Sequence, residues 1–94
     1  GLFCFVDKQM GLPQWSDLGM FLQTFMLLAR EAGLDTCPQE AWAIKQESVT
    51  SFVKAPDELM LFCGMAIGYR DKNAKINELR TERRPFKDWA TFVD

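Results

Sequence analysis

The sequence predicts a mixed α/β fold, and three apolar segments carry that prediction. Residues 2–6 combine aromatic and β-branched side chains, a composition typical of a buried strand. Residues 18–29 hold apolar side chains on nearly every side of a helix, which indicates a helix buried all round. Residues 59–69 form a second strand candidate. Strands that alternate with helical segments indicate a mixed arrangement of helices and sheet.

Polar residues and a glycine mark the ends of this helix. Residues 8–14 contain glycine and proline, which favour a loop before the helix. Ser16 or Asp17 is placed to cap the helix start by accepting a hydrogen bond from an early N–H group. At the other end, Gly33 is expected to adopt the left-handed conformation that commonly follows a helix.

Residues 36–42, TCPQEAW, allow two interpretations. In the first, Pro38 ends a brief strand over 35–37 and Glu40 begins the next helix. In the second, the segment is a loop whose backbone N–H groups face a bound ligand. Beyond this segment, the sequence predicts helical stretches at residues 41–45 and 46–53.

The second strand candidate, residues 59–69, holds Gly64 and Gly68 in its interior. Glycine weakens a strand, so its presence there indicates a bulge or a close approach of the backbone to another group. Residues 71–94 have too few apolar side chains to form a domain, and we expect this tail to lie over another surface. The chain is therefore one domain at most.

Composition indicates that this chain needs a partner surface. Its 94 residues are 48% apolar and 26% charged, so it has more apolar surface than a chain of this length readily buries. We therefore expect a partner subunit or a further piece of the chain. The sequence has no initiator Met and starts inside a predicted strand, which leads us to expect a portion of a longer chain.

Several classes of partner and site are not expected. The net charge is −2 and no long basic tract occurs, which argues against nucleic acid. Cys4, Cys37 and Cys63 are too scattered for a disulfide framework, and without histidine or a CxxC motif they predict no metal site. We expect buried thiols in a reducing compartment. With no signal peptide or membrane-spanning stretch, the sequence predicts a soluble cytoplasmic protein.

Catalysis by side chains alone has little support in the sequence. The chain has no histidine, no G-x-S-x-G, no G-x-G-x-x-G and no phosphate-binding loop motif. Asp57 and Glu58 are adjacent, so their carboxylates point in different directions. An enzyme with this sequence would therefore take its difficult chemistry from a bound cofactor.

Arginines cluster in the tail at Arg80, Arg83 and Arg84. Guanidinium groups suit phosphate oxygens because they donate two parallel charge-assisted hydrogen bonds. The alternative is a solvated run of charges paired with Glu78 and Glu82, and spacing alone favours that alternative.

Three stretches of the sequence resemble the C-terminal part of the FMN-dependent nitroreductase family. They are MGLPQWSDLGMFLQTFMLLAREAGLDTCPQEAW at 10–42, LMLFCGMAIGYRD at 59–71 and INELRTERRPF at 76–86. The resemblance implies an α+β fold that is part of a larger α/β sandwich, with two flavins at the interface of an intertwined homodimer. It also implies that 1–94 is the C-terminal portion of a single domain whose N-terminal half is absent, with 71–94 as an extended tail.

The same resemblance implies a role for the TCPQEAW segment. The segment would lie over the flavin ring, with the backbone N–H of Glu40 donating to flavin N5 and with Pro38, Gln39 and Ala41 flanking the ring. Flavin N5 accepts hydride, and a fixed N–H donor stabilises the charge that develops there. The resemblance therefore favours the ligand-loop interpretation.

The resemblance also implies that Arg83 binds the flavin phosphate. Arg80 is placed where a second basic group could reach the same phosphate. The family pattern has a basic residue two positions before the phosphate-binding arginine, and this chain has Thr81 there. Arg84 is expected to face solvent.

The implied function is that of an FMN-dependent NAD(P)H oxidoreductase. NAD(P)H would reduce FMN by hydride transfer to N5, and a nitroaromatic or quinone-like acceptor would then enter on the same face. The implied partners are a second copy of the chain, NADH or NADPH, and the small acceptor. The alternative is a non-catalytic dimerisation or regulatory fragment without bound flavin.

Overall fold

A computed structural model describes residues 1–93 and shows an antiparallel sheet of three strands. The strands are β1, Leu2–Asp7; β2, Asp35–Gln39; and β3, Leu59–Gly68. The α-helices are α1, Gly11–Glu31, and α2, Gln46–Val53. A 3₁₀ helix, Glu40–Lys45, joins β2 to α2, and shorter 3₁₀ helices lie in the tail at Lys75–Glu78 and Phe86–Asp88. The predicted mixture of helix and strand is confirmed, and most predicted segments agree with the structure within two residues.

The central strand is β3, and both of its neighbours run antiparallel to it in the order β1-β3-β2. β1 pairs Cys4 with Cys63 and Phe5 with Leu61, so Phe62 is an extra residue that forms a bulge in β3. β2 pairs with the other side of β3. Because β1 and β2 are both hydrogen-bonded to β3, the central strand fixes the positions of the two edge strands.

The core lies between α1 and the sheet. Cys4 of β1, Cys63 and Met65 of β3, and Leu22 of α1 are buried and form one cluster. Neighbouring residues of a strand face opposite sides of the sheet. Gly64, which lies between Cys63 and Met65, therefore faces away from this cluster.

Helix α1 starts earlier than the sequence predicts. It begins at Gly11, so most of the predicted loop over 8–14 is helical. Ser16 and Asp17 lie inside the helix, and no side chain caps its N-terminus, so the predicted cap is wrong. Pro13 is tolerated because it lies in the first turn, where a backbone N–H has no acceptor within the helix.

The predicted end of α1 is confirmed. Gly33 has a φ of 81°, in the left-handed region. The N–H of Gly33 donates to the carbonyl of Arg30 at 3.0 Å, and the N–H of Leu34 donates to the carbonyl of Ala29 at 2.9 Å. These bonds occupy carbonyl groups that have no partner within the helix, and they turn the chain towards β2.

Within this chain α1 is buried on one side only, so the prediction of burial on nearly every side is wrong for the single chain. Leu22 and Ala29 are its buried residues. The sheet lies along one side of the helix and leaves the opposite side uncovered. Apolar side chains that are more than half exposed on α1 include Met20, Phe21, Leu27 and Leu28. Among residues 1–93, no helix combines the length and the apolar content needed to cross a membrane.

Strand β2 continues through Pro38, so the prediction that this proline ends the strand is wrong. The strand runs to Gln39, and Pro38 pairs with Met65 of β3. Proline has no N–H to donate, which an edge strand tolerates because one of its sides has no neighbouring strand. The place of β2 at the edge of the sheet therefore explains the difference.

The cysteines differ in their exposure. Cys4 and Cys63 lie opposite each other in β1 and β3 and are buried, as predicted. Burial raises the pKa of the Cys4 thiol to about 11 and also raises the pKa of Cys63, so both stay protonated at neutral pH. Cys37 is exposed because it lies on the edge strand β2, and the prediction of burial is wrong for this residue.

The tail carries a small cluster of aromatic side chains. The rings of Phe86 and Trp89 meet edge-on with their centres 4.8 Å apart, and Phe92 lies 5.6 Å from Phe86. All three side chains are more than half exposed. The cluster therefore leaves apolar surface of the tail uncovered within the described residues. Asp94, the last residue of the predicted tail, lies outside the described residues.

Candidate functional site

The candidate site is the junction where β2 passes into the 3₁₀ helix. Pro38 and Gln39 are the last two residues of β2, and Glu40 and Ala41 are the first two residues of the helix. All four are exposed. The structure therefore brings together the residues that the resemblance assigns to the flavin ring. Of the first interpretation of TCPQEAW, the helix start at Glu40 is confirmed, and the ligand-facing interpretation stays a prediction.

The backbone N–H of Glu40 stands at the start of this helix. The first N–H groups of a helix have no acceptor within the helix. Gln39 occupies the N-cap position and makes no capping hydrogen bond with its side chain. The N–H of Glu40 is therefore a donor that the helix itself does not use.

Trp42 ties this junction to the sheet. Its Nε1 donates to Gln39 Oε1 at 2.9 Å, and its ring meets Phe3 edge-on with the centres 5.2 Å apart. The ring lies against Gly64, where an added Cβ would come within 2.5 Å of Trp42 Cδ1. The sequence predicted a bulge or a close approach at the glycines of β3, and the structure shows the approach at Gly64 and the bulge at the nearby Phe62.

Sequence reasoning did not single out Trp42. Its signal was indirect: a glycine in the interior of a central strand needs a neighbour that approaches the backbone, and a nearby aromatic residue is the natural candidate. Gly68 shows why the glycine alone was not enough. An added Cβ there would meet no atom within 4 Å, although both glycines lie in the same strand.

An open groove borders the junction. It has a volume of about 440 Å³, and Gln39 and Trp42 form part of its wall. Phe3 of β1 and Met65 of β3 contribute apolar surface to the same groove. The groove is thus a place where a partly apolar ligand can lie against the sheet and meet the backbone of the junction.

Ion pairs fix the start of β2. Asp35 Oδ1 accepts from Arg30 at 3.1 Å and from Arg70 at 2.8 Å. The hydrogen bond from Arg70 is the main cause that holds the pKa of Asp35 below its usual value, and the charge of Arg30 adds to it. Arg30 lies in the last turn of α1 and Arg70 follows β3, so Asp35 connects both elements to β2.

Gln46 holds the far end of the 3₁₀ helix. It is the first residue of α2, and its Oε1 accepts a hydrogen bond from the backbone N–H of Leu61 at 2.6 Å. Leu61 lies beside the bulge at Phe62, where the regular pairing with β1 is interrupted. The 3₁₀ helix is therefore attached to β3 near both ends, through Trp42 and through Gln46.

Arg80 and Arg83 are exposed in the tail and donate to groups of their own segment. Arg80 Nη1 donates to two nearby backbone carbonyl groups at 2.9 and 3.1 Å. Arg83 Nη1 donates to the hydroxyl of Thr81 and to adjacent carbonyl groups. Within residues 1–93, no hydrogen bond or ion pair joins either arginine to 38–41. The predicted ring contacts are thus neighbours at the junction of β2 and the 3₁₀ helix, and the predicted phosphate contacts lie in the tail.

Comparison with known proteins connects the chain to a family. The nitroreductase family model matches residues 7–69, more than half of the chain. A 4-nitrobenzoate reductase of Pseudomonas putida is 40% identical over 93 residues, which cover 99% of this chain and 41% of the relative. A chloronitrobenzene nitroreductase of Comamonas testosteroni is 32% identical over 93 residues, with the same shares of both chains covered.

A solved structure has the same fold over this length. The FMN- and NADPH-dependent nitroreductase NfnB of Sphigopyxis sp. strain HMH has a TM-score of 0.93 and 38% identity, over 98% of this chain and 41% of that one. This chain therefore spans about two fifths of the length of these relatives. The predicted α+β, nitroreductase-like fold is confirmed. The chain belongs to the nitroreductase family.

Proposed function

We propose that this chain is the C-terminal portion of a nitroreductase domain, with residues 71–94 as an extended tail. The relatives support this reading because they match nearly the whole chain while the chain covers about two fifths of each of them. The protein is then an FMN-dependent oxidoreductase that uses NAD(P)H to reduce nitroaromatic or quinone-like acceptors. Two relatives are named as reductases of 4-nitrobenzoate and chloronitrobenzene, and a solved relative is FMN- and NADPH-dependent.

The observation that carries this proposal is the place of Glu40, an exposed residue that directly follows Gln39, which lines the groove. The groove has apolar walls from Phe3 and Met65, which suit one side of a flavin ring. Pro38, Gln39 and Ala41 flank the ring, and the N–H of Glu40 donates to N5. When bound, FMN accepts hydride at N5 and supplies the redox chemistry. Glu40 holds its backbone N–H beside N5, where negative charge develops during the reduction.

Arg83 is proposed to hold the flavin phosphate, with Arg80 as a second donor. Neither arginine forms an ion pair within residues 1–93, so the alternative pairing with Glu78 and Glu82 is not found there. Both residues are exposed, and in the part of the chain that the structure describes their guanidinium groups bond to neutral oxygens of their own segment. A phosphate dianion would offer them stronger, charge-assisted hydrogen bonds.

A second copy of the chain is proposed to cover the exposed side of α1. Met20, Phe21, Leu27 and Leu28 fall at helical spacings that place them on one face, opposite the buried Leu22. A contiguous apolar patch of this kind is typical of a protein interface. The homodimer thus accounts for the apolar composition of α1 on both of its faces.

We place the protein in the cytoplasm. Cys4 and Cys63 lie opposite each other in adjacent strands and are free thiols. Thiols so close together persist where the cell keeps cysteines reduced, which supports this location.

Replacing Glu40 with proline removes the proposed donor with little change in backbone shape. Gln39 has φ −136° and ψ 89°, outside the α region that a following proline disfavours, and the first helical position accepts proline. In the complete protein with FMN, E40P should slow flavin reduction by NADPH about a hundredfold. E40Q keeps the donor and should reduce flavin at nearly the original rate. Stopped-flow absorbance of the flavin measures both variants, and equal rates for the two would count against the N5 contact.

Replacing Arg83 with alanine should weaken FMN far more than riboflavin, because only FMN carries the phosphate. The expected loss is about 2 kcal/mol, or roughly thirtyfold in the Kd of FMN. Arg84→Ala is the matched control and should cost less than about 1 kcal/mol, as expected for an exposed charge. Fluorescence titrations with both flavins measure these values. A similar loss for riboflavin would show that Arg83 does not act through the phosphate.

Replacing Phe21 with aspartate should separate the proposed dimer, because it places a charge in an apolar interface. Phe21 is 57% exposed in the single chain, so the fold of each chain should survive the change. Gln23→Asp puts the same charge on an exposed, already polar position at the margin of the apolar face and should weaken the dimer far less. Sedimentation of both variants at micromolar concentration measures the outcome. A Phe21→Asp protein that remains dimeric would exclude this face as the interface.

A further inference from the structure

Trp42 closes a turn of the chain beside the groove, and Trp42 and Gln39 both line that groove. Its hydrogen bond to Gln39 joins positions three residues apart, which is one turn of a 3₁₀ helix. Glu40 and Ala41 lie inside that closed turn. The hydrogen bond from Trp42 to Gln39 therefore restricts the backbone of Glu40 and Ala41, and so does the 3₁₀ helix to which they belong.

The indole ring of Trp42 packs against the backbone of Gly64. A Cβ at this position would lie 2.5 Å from Cδ1, 3.0 Å from Cγ and 3.1 Å from Nε1 of Trp42. Three ring atoms are therefore close to the strand backbone, so the ring rests on it directly. Phe3 meets the ring edge-on and limits its movement along the sheet. Any side chain at 64 would lift the ring and move the turn that it closes.

The bond from Trp42 also sets the orientation of the Gln39 amide. Because Oε1 accepts from the indole N–H, the amide NH₂ remains as the donor group of Gln39. Gln39 lines the groove. The amide therefore offers N–H groups, which suit the carbonyl and ring-nitrogen acceptors of a flavin.

We propose that Trp42, seated on Gly64, is a positioning residue that aims the Glu40 N–H and the Gln39 amide at the ligand in the groove. This inference rests on the proposed function, since the ligand is FMN. Trp42 acts through its neighbours, and its effect on the reaction comes from alignment. Misplacement of a catalytic group by about 1 Å can cost on the order of a hundredfold in rate.

The glycines of β3 provide a matched test in the complete protein with FMN. Gly64→Ala should displace the indole ring, slow flavin reduction by NADPH about tenfold or more, and shift the midpoint potential of bound FMN towards that of free FMN. Gly68→Ala adds the same methyl group to the same strand in open space, and should change neither quantity. The midpoint potential matters because a purely structural role for Gly64 would lower the melting temperature and leave the potential unchanged.

A double-mutant cycle shows whether Gly64 acts through Trp42. Trp42→Ala removes the ring, so Gly64→Ala should have little further effect on rate or potential in that background. Trp42→Phe keeps a smaller ring for Phe3 and loses the indole donor, so it should shift the potential in the same direction by a smaller amount. This variant leaves the strand unchanged and serves as the test if Gly64→Ala does not fold.

Two results would overturn the inference while the proposed function stands. One is a Gly64→Ala protein that matches Gly68→Ala in rate and potential. The other is a folded Trp42→Phe protein with the rate and potential of the original. An original protein that binds no FMN, or that binds it without oxidising NADPH, would instead refute the proposed function and remove the inference with it.

Discussion

Trp42 rests on the bare backbone of Gly64, and the path of the chain from β2 to α2 depends on this contact. The same strand, β3, presents Cys63 and Met65 to the core under α1 and Gly64 to the other face. One strand therefore positions both the helix and the exposed junction. The buried core and the candidate site both pack against β3, so a substitution in β3 is expected to affect both.

The two faces of α1 explain the unusual composition of the chain. One face packs on the sheet through Leu22, and the opposite face exposes Phe21 and Leu28. A helix that served only a monomer would carry polar residues on its outer face. An exposed apolar face of this kind is typical of a protein interface, and the proposed second copy of the chain would cover it.

Short sequence patterns predicted the parts of the fold that depend only on residues close together in the chain. Gly33 ended α1 as expected, because the left-handed angle that follows a helix is a property of a few residues. Pro38 was misread because its tolerance depends on the place of β2 at the sheet edge, which no local pattern reveals. Trp42 and Gly64 were missed as a pair for the same reason, since the contact joins residues far apart in sequence. The four residues of the junction came from the resemblance, and their proposed part needs no special side chain because the proposed donor is a backbone N–H.

A crystal structure of the complete protein with FMN would show directly which residues contact the flavin ring. We expect the backbone nitrogen of Glu40 to lie about 3 Å from flavin N5, at hydrogen-bond distance, with Trp42 still packed against Gly64. A flavin ring bound away from residues 38–41, or an N5 atom that receives its hydrogen bond from another residue, would contradict the proposed role of Glu40.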